Sequence, residues 1–135
     1  DLVERLGAAW LDLQYGHLNP AEGDTIDVEA FEAEVGEKLG MPSEVQYRYR
    51  SPYFKHIFGS NEYASGYYTY LWAEVLDTDA YEMFMENGIF DKATADAFRT
   101  NVLEMGGSDD PMVMYERFRG HKPTPDALMR HYGLK

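Results

Sequence analysis

Proline and glycine cut this chain into stretches in which apolar residues recur at three and four positions, and that period commits it to helices. Leu2, Leu6, Ala9, Trp10 and Leu13 mark a first helix, ended by Gly16, and residues 17–23 read as a loop. Asp27 can cap a second helix carrying Ala30, Phe31, Glu34 and Val35 and ending at Gly40. Met41 to Arg50 reads as an extended connection or a short strand. Ser51-Pro52 opens a short helix that stops near Phe58-Gly59, since proline suits a first helical turn. The longest helix is predicted from about Tyr63 to Asn87, before Gly88. Asp91 opens the next, with Ala95, Phe98, Val102 and Leu103 on one face and Gly106-Gly107 at its end. Asp109-Asp110-Pro111 starts another, with Met114, Tyr115 and Phe118 facing inward and Gly120 closing it. Thr124-Pro125-Asp126 starts the last, which Gly133 ends. The expectation is an all-α fold of six or seven helices with short links, one domain over residues 1–135.

Composition removes several function classes. The chain has no cysteine, so it carries neither a disulfide framework nor thiol chemistry, which fits a reducing, cytoplasmic setting. No run approaches the ~20 apolar residues of a membrane span. The first residues lack the basic start and apolar run of a signal peptide. There is no initiator Met at position 1, which reads as a chain cut from something longer. The formal charge is −12, and the largest basic cluster is Arg48 with Arg50. Duplex nucleic-acid binders need a larger basic patch, and an acidic surface is repelled by anionic membranes, so neither partner is expected.

The usual catalytic signatures are missing. His17, His56, His121 and His131 include no pair at i, i+4, so there is no His-Glu-x-x-His zinc motif and no metal ligand set is assigned. There is no Gly-x-Ser-x-Gly elbow. The 24 acidic residues supply many accidental carboxylate pairs, and their ordinary reading is a solvated helix face. Met112, Met114 and Met129 read as core filler.

The segment from His56 to Trp72 is different. It runs from a histidine through a small flexible loop into Tyr63, Tyr67, Tyr68 and Tyr70. A buried phenol wants a hydrogen-bond partner, so a cluster of phenols is costly unless something uses the hydroxyls. On a helix Tyr63, Tyr67, Tyr70 and Glu74 fall at i, i+4, i+7 and i+11, one stripe. Tyr68, Leu71, Trp72, Val75 and Leu76 fall on a neighbouring apolar stripe, expected to be core. A phenol stays protonated near neutral pH and donates a hydrogen bond without carrying charge, which suits a developing oxyanion. Gly59 and Gly66 flank a loop that can hinge and close. The bland alternative is a tyrosine-rich packing face.

The run Arg48-Tyr49-Arg50-Ser51-Pro52-Tyr53-Phe54-Lys55-His56-Ile57-Phe58, followed by Tyr63-Ala64-Ser65-Gly66-Tyr67-Tyr68-Thr69-Tyr70-Leu71-Trp72, resembles the C-terminal region of the thimet oligopeptidase and peptidyl-dipeptidase family of zinc metallopeptidases. The likeness continues through Gly106-Gly107-Ser108, Asp110-Pro111 and Phe118-Arg119-Gly120 to the run from Asp126 to Leu134. The Arg-Ser-Pro-Tyr-Phe and His-Ile-Phe-Gly wording is nearest the peptidyl-dipeptidase branch. The resemblance implies a parent enzyme that hydrolyses short peptides with a zinc-activated water, its ligands lying upstream of Asp1. This chain would then be a C-terminal fragment lacking the zinc-binding part, inactive and without zinc affinity alone. By position, Tyr70 matches the family tyrosine that hydrogen-bonds the oxyanion. Tyr63 and His56 match residues that contact substrate, and Tyr67 matches a cleft-lining tyrosine. The implied partners are a peptide substrate and the upstream catalytic part of the same polypeptide.

One departure stands out. The family loop runs Gly-Gly-Tyr soon after the histidine, whereas Gly59-Ser60-Asn61-Glu62-Tyr63 is longer, loses a glycine and adds a charge beside Tyr63. Apolar surface around Phe54, Phe58 or Trp10, left uncovered in an isolated piece, would favour a homodimer. A stand-alone helical module binding peptides or proteins through its tyrosines is the competing reading.

Overall fold

Three aspartates, Asp27, Asp91 and Asp110, begin helices for one physical reason: a short carboxylate accepts the amide protons that a first turn leaves unpaired, as Asp91 does from Thr94 at 2.7 Å. Asp27 accepts from Glu29 and Ala30 at 3.1 and 3.0 Å, and Asp110 accepts from Met112 and Val113 at 2.8 and 3.4 Å. The matching stops are Gly40 and Gly120, whose φ of +71° and +85° are left-handed values that glycine adopts without strain. In the computed structural model, which describes residues 1–23 and 25–135, these signals delimit α1 (Leu2–Gly16), α2 (Pro20–Gly23), α3 (Val28–Leu39), α4 (Lys55–Phe58), α5 (Thr69–Asn87), α6 (Lys92–Phe98), α7 (Pro111–Arg119) and α8 (Asp126–His131). A 3₁₀ turn covers Ser51–Tyr53, and α6 runs on into a π turn over Arg99–Leu103. The all-α expectation holds, with no strand among the described residues. Residues 41–50 are irregular, and Pro20–Gly23 turns once as helix where a loop was expected. The chain divides into two compact units, Asp1–Leu71 and Trp72–Lys135.

In the first unit the core is Ala8, Ala9, Leu11, Val35, Phe54, Ile57 and Tyr67. Of the apolar residues that mark α1, Leu6 and Trp10 are exposed, Trp10 as expected, and the buried positions are Gly7, Ala8, Ala9, Leu11 and Asp12. The reason is close approach. A Cβ on Gly7 would lie 3.3 Å from the Tyr47 ring, and one on Gly36 of α3 would lie 3.1 Å from the Tyr47 hydroxyl. Tyr47 packs on both helices through their glycines and donates to the Glu32 carbonyl at 2.9 Å. At those two glycines a larger side chain has no room. Phe54 is 1 % exposed, so it belongs to the core and offers no surface for association.

Glu32 fixes the next connection. It is buried, pairs with Arg50 Nε, and accepts the Ser51 amide proton at 2.5 Å. Tyr15 donates to Ser51 Oγ at 2.6 Å. The 3₁₀ turn that leads into α4 is therefore tied to α1 and α3 by side chains, because its own few backbone bonds could not hold it.

In the second unit α5 packs with carboxylates. Asp79 accepts from the Tyr115 hydroxyl at 2.6 Å, and its carbonyl accepts from Arg119 Nε at 3.0 Å. Arg119 forks onto Glu86 at 3.1 and 3.2 Å, Arg130 forks onto Glu82 at 2.6 and 2.7 Å, and Tyr132 donates to Glu74 at 3.3 Å. Those acids recur at helical spacing, so one acidic face of α5 receives α7 and α8. Trp72, expected in the core, is 43 % exposed for that reason, while Val75 and Asp79 are buried. Met114, Tyr115 and Phe118 of α7 point inward as expected. Phe118 closes a ring cluster with Phe84 and Phe98 at centroid distances of 6.3 and 5.1 Å.

Candidate functional site

The phenol-bearing segment starts its helix six residues later than its periodicity predicts. Residues 62–68 are turns, and α5 begins at Thr69. Tyr63 and Tyr67 are thus not on a helix, and the single stripe does not exist. The turns bring the same phenols together by another route: ring centroids lie 5.7 Å apart for Tyr63 and Tyr70, 5.0 Å for Tyr67 and Tyr70, and 6.5 Å for Tyr63 and Tyr67. Tyr67 enters the core at 7 % exposed, and Tyr68 points outward at 51 %, the reverse of the expected assignment.

His56, on α4, stands among these rings. It lies 5.2 Å from Tyr49, 5.7 Å from Tyr63, 5.4 Å from Tyr67 and 6.4 Å from Tyr70. The last three meet it edge to face, at interplanar angles of 84°, 78° and 90°, the arrangement the ring quadrupole favours. Tyr63 and Tyr70 stack within 7° of parallel, and the Tyr70 hydroxyl donates to that of Tyr63 at 2.9 Å on the exposed side. A recess of about 300 Å³ opens here, lined by Arg5, Arg48, Tyr49, His56, Tyr67 and Tyr70. Arg48 reaches Asp1 at 3.2 Å and Glu4 at 3.7 Å, and its guanidinium lies 6.0 Å from the Tyr49 ring centre.

The turn is held from α1. Asp12, only 2 % exposed, accepts the Ser65 amide proton at 2.9 Å on one oxygen and that of Tyr67 at 2.8 Å on the other. Ser65 has φ +56°, the one left-handed non-glycine residue among those described. The flanking glycines differ in need. Gly59 ends α4, and a Cβ there would stand 2.6 Å from the Lys55 carbonyl oxygen. Gly66 has ordinary room, 3.5 Å or more, and no positive φ, so nothing in its surroundings requires glycine.

The electrostatics keep these phenols protonated. Burial, then the neighbouring Tyr49, pushes Tyr67 up to about 12. The bond to Tyr63, then burial, raises Tyr70. Burial, then Glu32, pushes Tyr47 up to about 12. A phenol whose folded value exceeds its unfolded one gives stability that is fully present below the unfolded pKa, about 10, and is lost as pH rises through the folded value. Phenolate absorbance should therefore rise in two phases, with Tyr47 and Tyr67 lagging the exposed tyrosines, and unfolding should set in between pH 10 and about 12. A single phase centred at the ordinary phenol value would show that these two are not shielded.

Asp12, Tyr49, Arg5 and Arg48 were not expected at the site, although Arg48 and Tyr49 open the run that carries the family resemblance. Asp12 had a signal: it lies four residues after Ala8 and next to Leu11, a carboxylate in a core register. Tyr49 stood in the loose alternation of Val45, Tyr47 and Tyr49. As to metals, among the described residues no group of three or more His, Asp or Glu is placed to hold an ion, so the donors present here do not fit a zinc site. No helix among the described residues is long and apolar enough to cross a membrane.

The model of Peptidase family M3 matches residues 1–134. The chain belongs to this metallopeptidase family. It is 43 % identical over 121 residues to oligopeptidase A of Salmonella typhimurium, which covers 90 % of the chain and 17 % of that protein. It is 40 % identical over 136 residues to dipeptidyl carboxypeptidase of the same organism, covering 99 % of the chain and 20 % of that protein. Oligopeptidase A of Haemophilus influenzae matches at 52 % identity over 86 residues, 63 % of the chain and 12 % of that protein. The M3 chain thus spans a fifth or less of the length of these curated relatives. Both the oligopeptidase and the dipeptidyl carboxypeptidase names occur among its relatives at similar identity.

Proposed function

We propose that this M3 chain forms the substrate-facing wall of a zinc-dependent peptidase that hydrolyses short peptides, as the C-terminal piece of a longer polypeptide. The observation that carries the reading is the hydroxyl pair of Tyr63 and Tyr70 on the exposed edge of a cluster that is otherwise packed around His56.

Zinc would be held by residues elsewhere in the polypeptide and would supply the activated water. This chain's own residues would bind and orient. Tyr70 would turn its proton from Tyr63 to the oxyanion formed when the peptide carbonyl is attacked, a neutral donor whose raised pKa keeps the proton in place. Tyr63, released from Tyr70, would contact the peptide beside the scissile bond. His56 would contact substrate from the centre of the ring cluster, and Tyr67 would line the cleft floor. Gly59 and Gly66 would frame the loop that covers the bound peptide. Alone, the chain would bind no zinc and cleave nothing. A cytoplasmic setting accords with its lack of cysteine.

Photo-crosslinking tests the reading. A short peptide carrying a benzophenone side chain, irradiated with the full polypeptide, should leave adducts within residues 56–70, and excess substrate should compete them away. Adducts confined to other segments would overturn the assignment.

A further inference from the structure

We infer that Asp12 is the positioning residue of the tyrosine turn: its two carboxylate oxygens hold the amide protons of Ser65 and Tyr67 and so set the Tyr63–Tyr70 hydroxyl pair beside His56. The consequence for catalysis rests on the function proposed above; the clamp itself does not.

The carboxylate is 2 % exposed, and burying one is unfavourable unless its oxygens are satisfied. Here each oxygen accepts one backbone proton, at 2.9 and 2.8 Å, from residues more than fifty positions away. Aspartate suits the task because it is short and, ionised, only accepts. Asparagine offers one acceptor and turns an NH₂ toward the second amide.

The same helix makes a second contact one turn on. A Cβ at Gly16 would fall 1.9 Å from Ser65 Oγ. Ser65 is the residue at φ +56°, a conformation that persists only when its surroundings over-determine it. Around it the turn closes on itself: Gly66 donates to the Tyr63 carbonyl at 2.8 Å, and Tyr70 donates to that of Tyr67 at 3.4 Å. Fixing Ser65 and Tyr67 therefore fixes the backbone on which Tyr63 and Tyr70 meet. Asp12 bonds the turn's backbone and acts through it. The freedom expected of the whole loop is confined to residues 59–62.

The test uses the full polypeptide and reads two things: amide exchange in the 62–68 segment, and steady-state cleavage of a short peptide. Asp12→Asn should speed exchange at Ser65 and Tyr67 while leaving that of α3 unchanged, and should lower kcat by about tenfold, the worth of one well-made hydrogen bond, with little change in KM. Gly16→Ala should do the same by displacing Ser65, and Gly16→Ala with Ser65→Gly should recover both readouts, because glycine removes the clash and accepts the positive φ. Unaltered exchange in Asp12→Asn, or no recovery in the double variant, would overturn the clamp. Faster exchange with unaltered kcat would overturn its part in positioning. If Asp12→Asn loses the fold throughout, the Gly16 and Ser65 pair decides. A Tyr70→Phe variant with full activity, beside intact clamp results, would remove the proposed wall role and leave the clamp standing.

Discussion

Replacing Tyr70 with phenylalanine in the full polypeptide should lower kcat for a short peptide by about 10²-fold or more and change KM much less. The substitution removes one oxygen and keeps the ring. Tyr70 stacks on Tyr63 at 5.7 Å and sits 5.0 Å from Tyr67, contacts that phenylalanine retains. The residue is 41 % exposed, so no large cavity opens. What disappears is the donor, now turned to Tyr63 at 2.9 Å and available to an oxyanion only in the transition state. A donor used only there acts on kcat, whereas a ground-state contact would act on KM. Equal loss in Tyr63→Phe and Tyr70→Phe, with no further loss in the double variant, would mark the two hydroxyls as one unit. An unchanged kcat in Tyr70→Phe removes this residue from the chemistry.

The second large effect is on stability. Arg119→Met should cost about 3 kcal/mol, read from the shift of the urea midpoint, because it strands a buried carboxylate. The Arg119 side chain is 9 % exposed, and its Nε lies 3.6 Å from Asp79 Oδ2, itself on a side chain 5 % exposed. Methionine matches the length of the stem but leaves Asp79 with the Tyr115 hydroxyl as its partner across the interface, at 2.6 Å, and leaves Glu86 without its fork. Removing the charge together with its partner, in Arg119→Met with Asp79→Leu, should return most of the loss, since a buried pair is frequently replaceable by apolar residues. A single variant within about 0.5 kcal/mol of the parent would place Arg119 among ordinary surface cations.

Helix existence was legible because proline, glycine and capping aspartates act within a few residues of themselves. Asp27, Asp110, Gly40 and Gly120 all do in the fold what local chemistry assigns them. Helix faces were less legible. Leu6 and Trp10 of α1 are large and apolar, yet the buried face runs through Gly7, where the ring of Tyr47, a residue some forty positions later, packs. Trp72 followed the apolar pattern of α5 but lost its place to a carboxylate face matched to the arginines of α7 and α8. The candidate site divides the same way. Tyr63, Tyr67, Tyr70 and His56 were named from residue type and resemblance, and they do converge. The helix supposed to align them was not there, because Asp12 offers the backbone of Ser65 and Tyr67 acceptors that a helix would have supplied internally. No local pattern announces a bond across fifty residues.

The unequal footing of the two glycines sets how this region can vary. With the downstream end of the loop moored and its upstream end pressed against the Lys55 carbonyl, extra residues between them become slack, absorbed outward at small entropic cost. The span around Asn61 and Glu62 can therefore take an insertion, a deletion or a change of charge while the aromatic geometry behind it keeps its register.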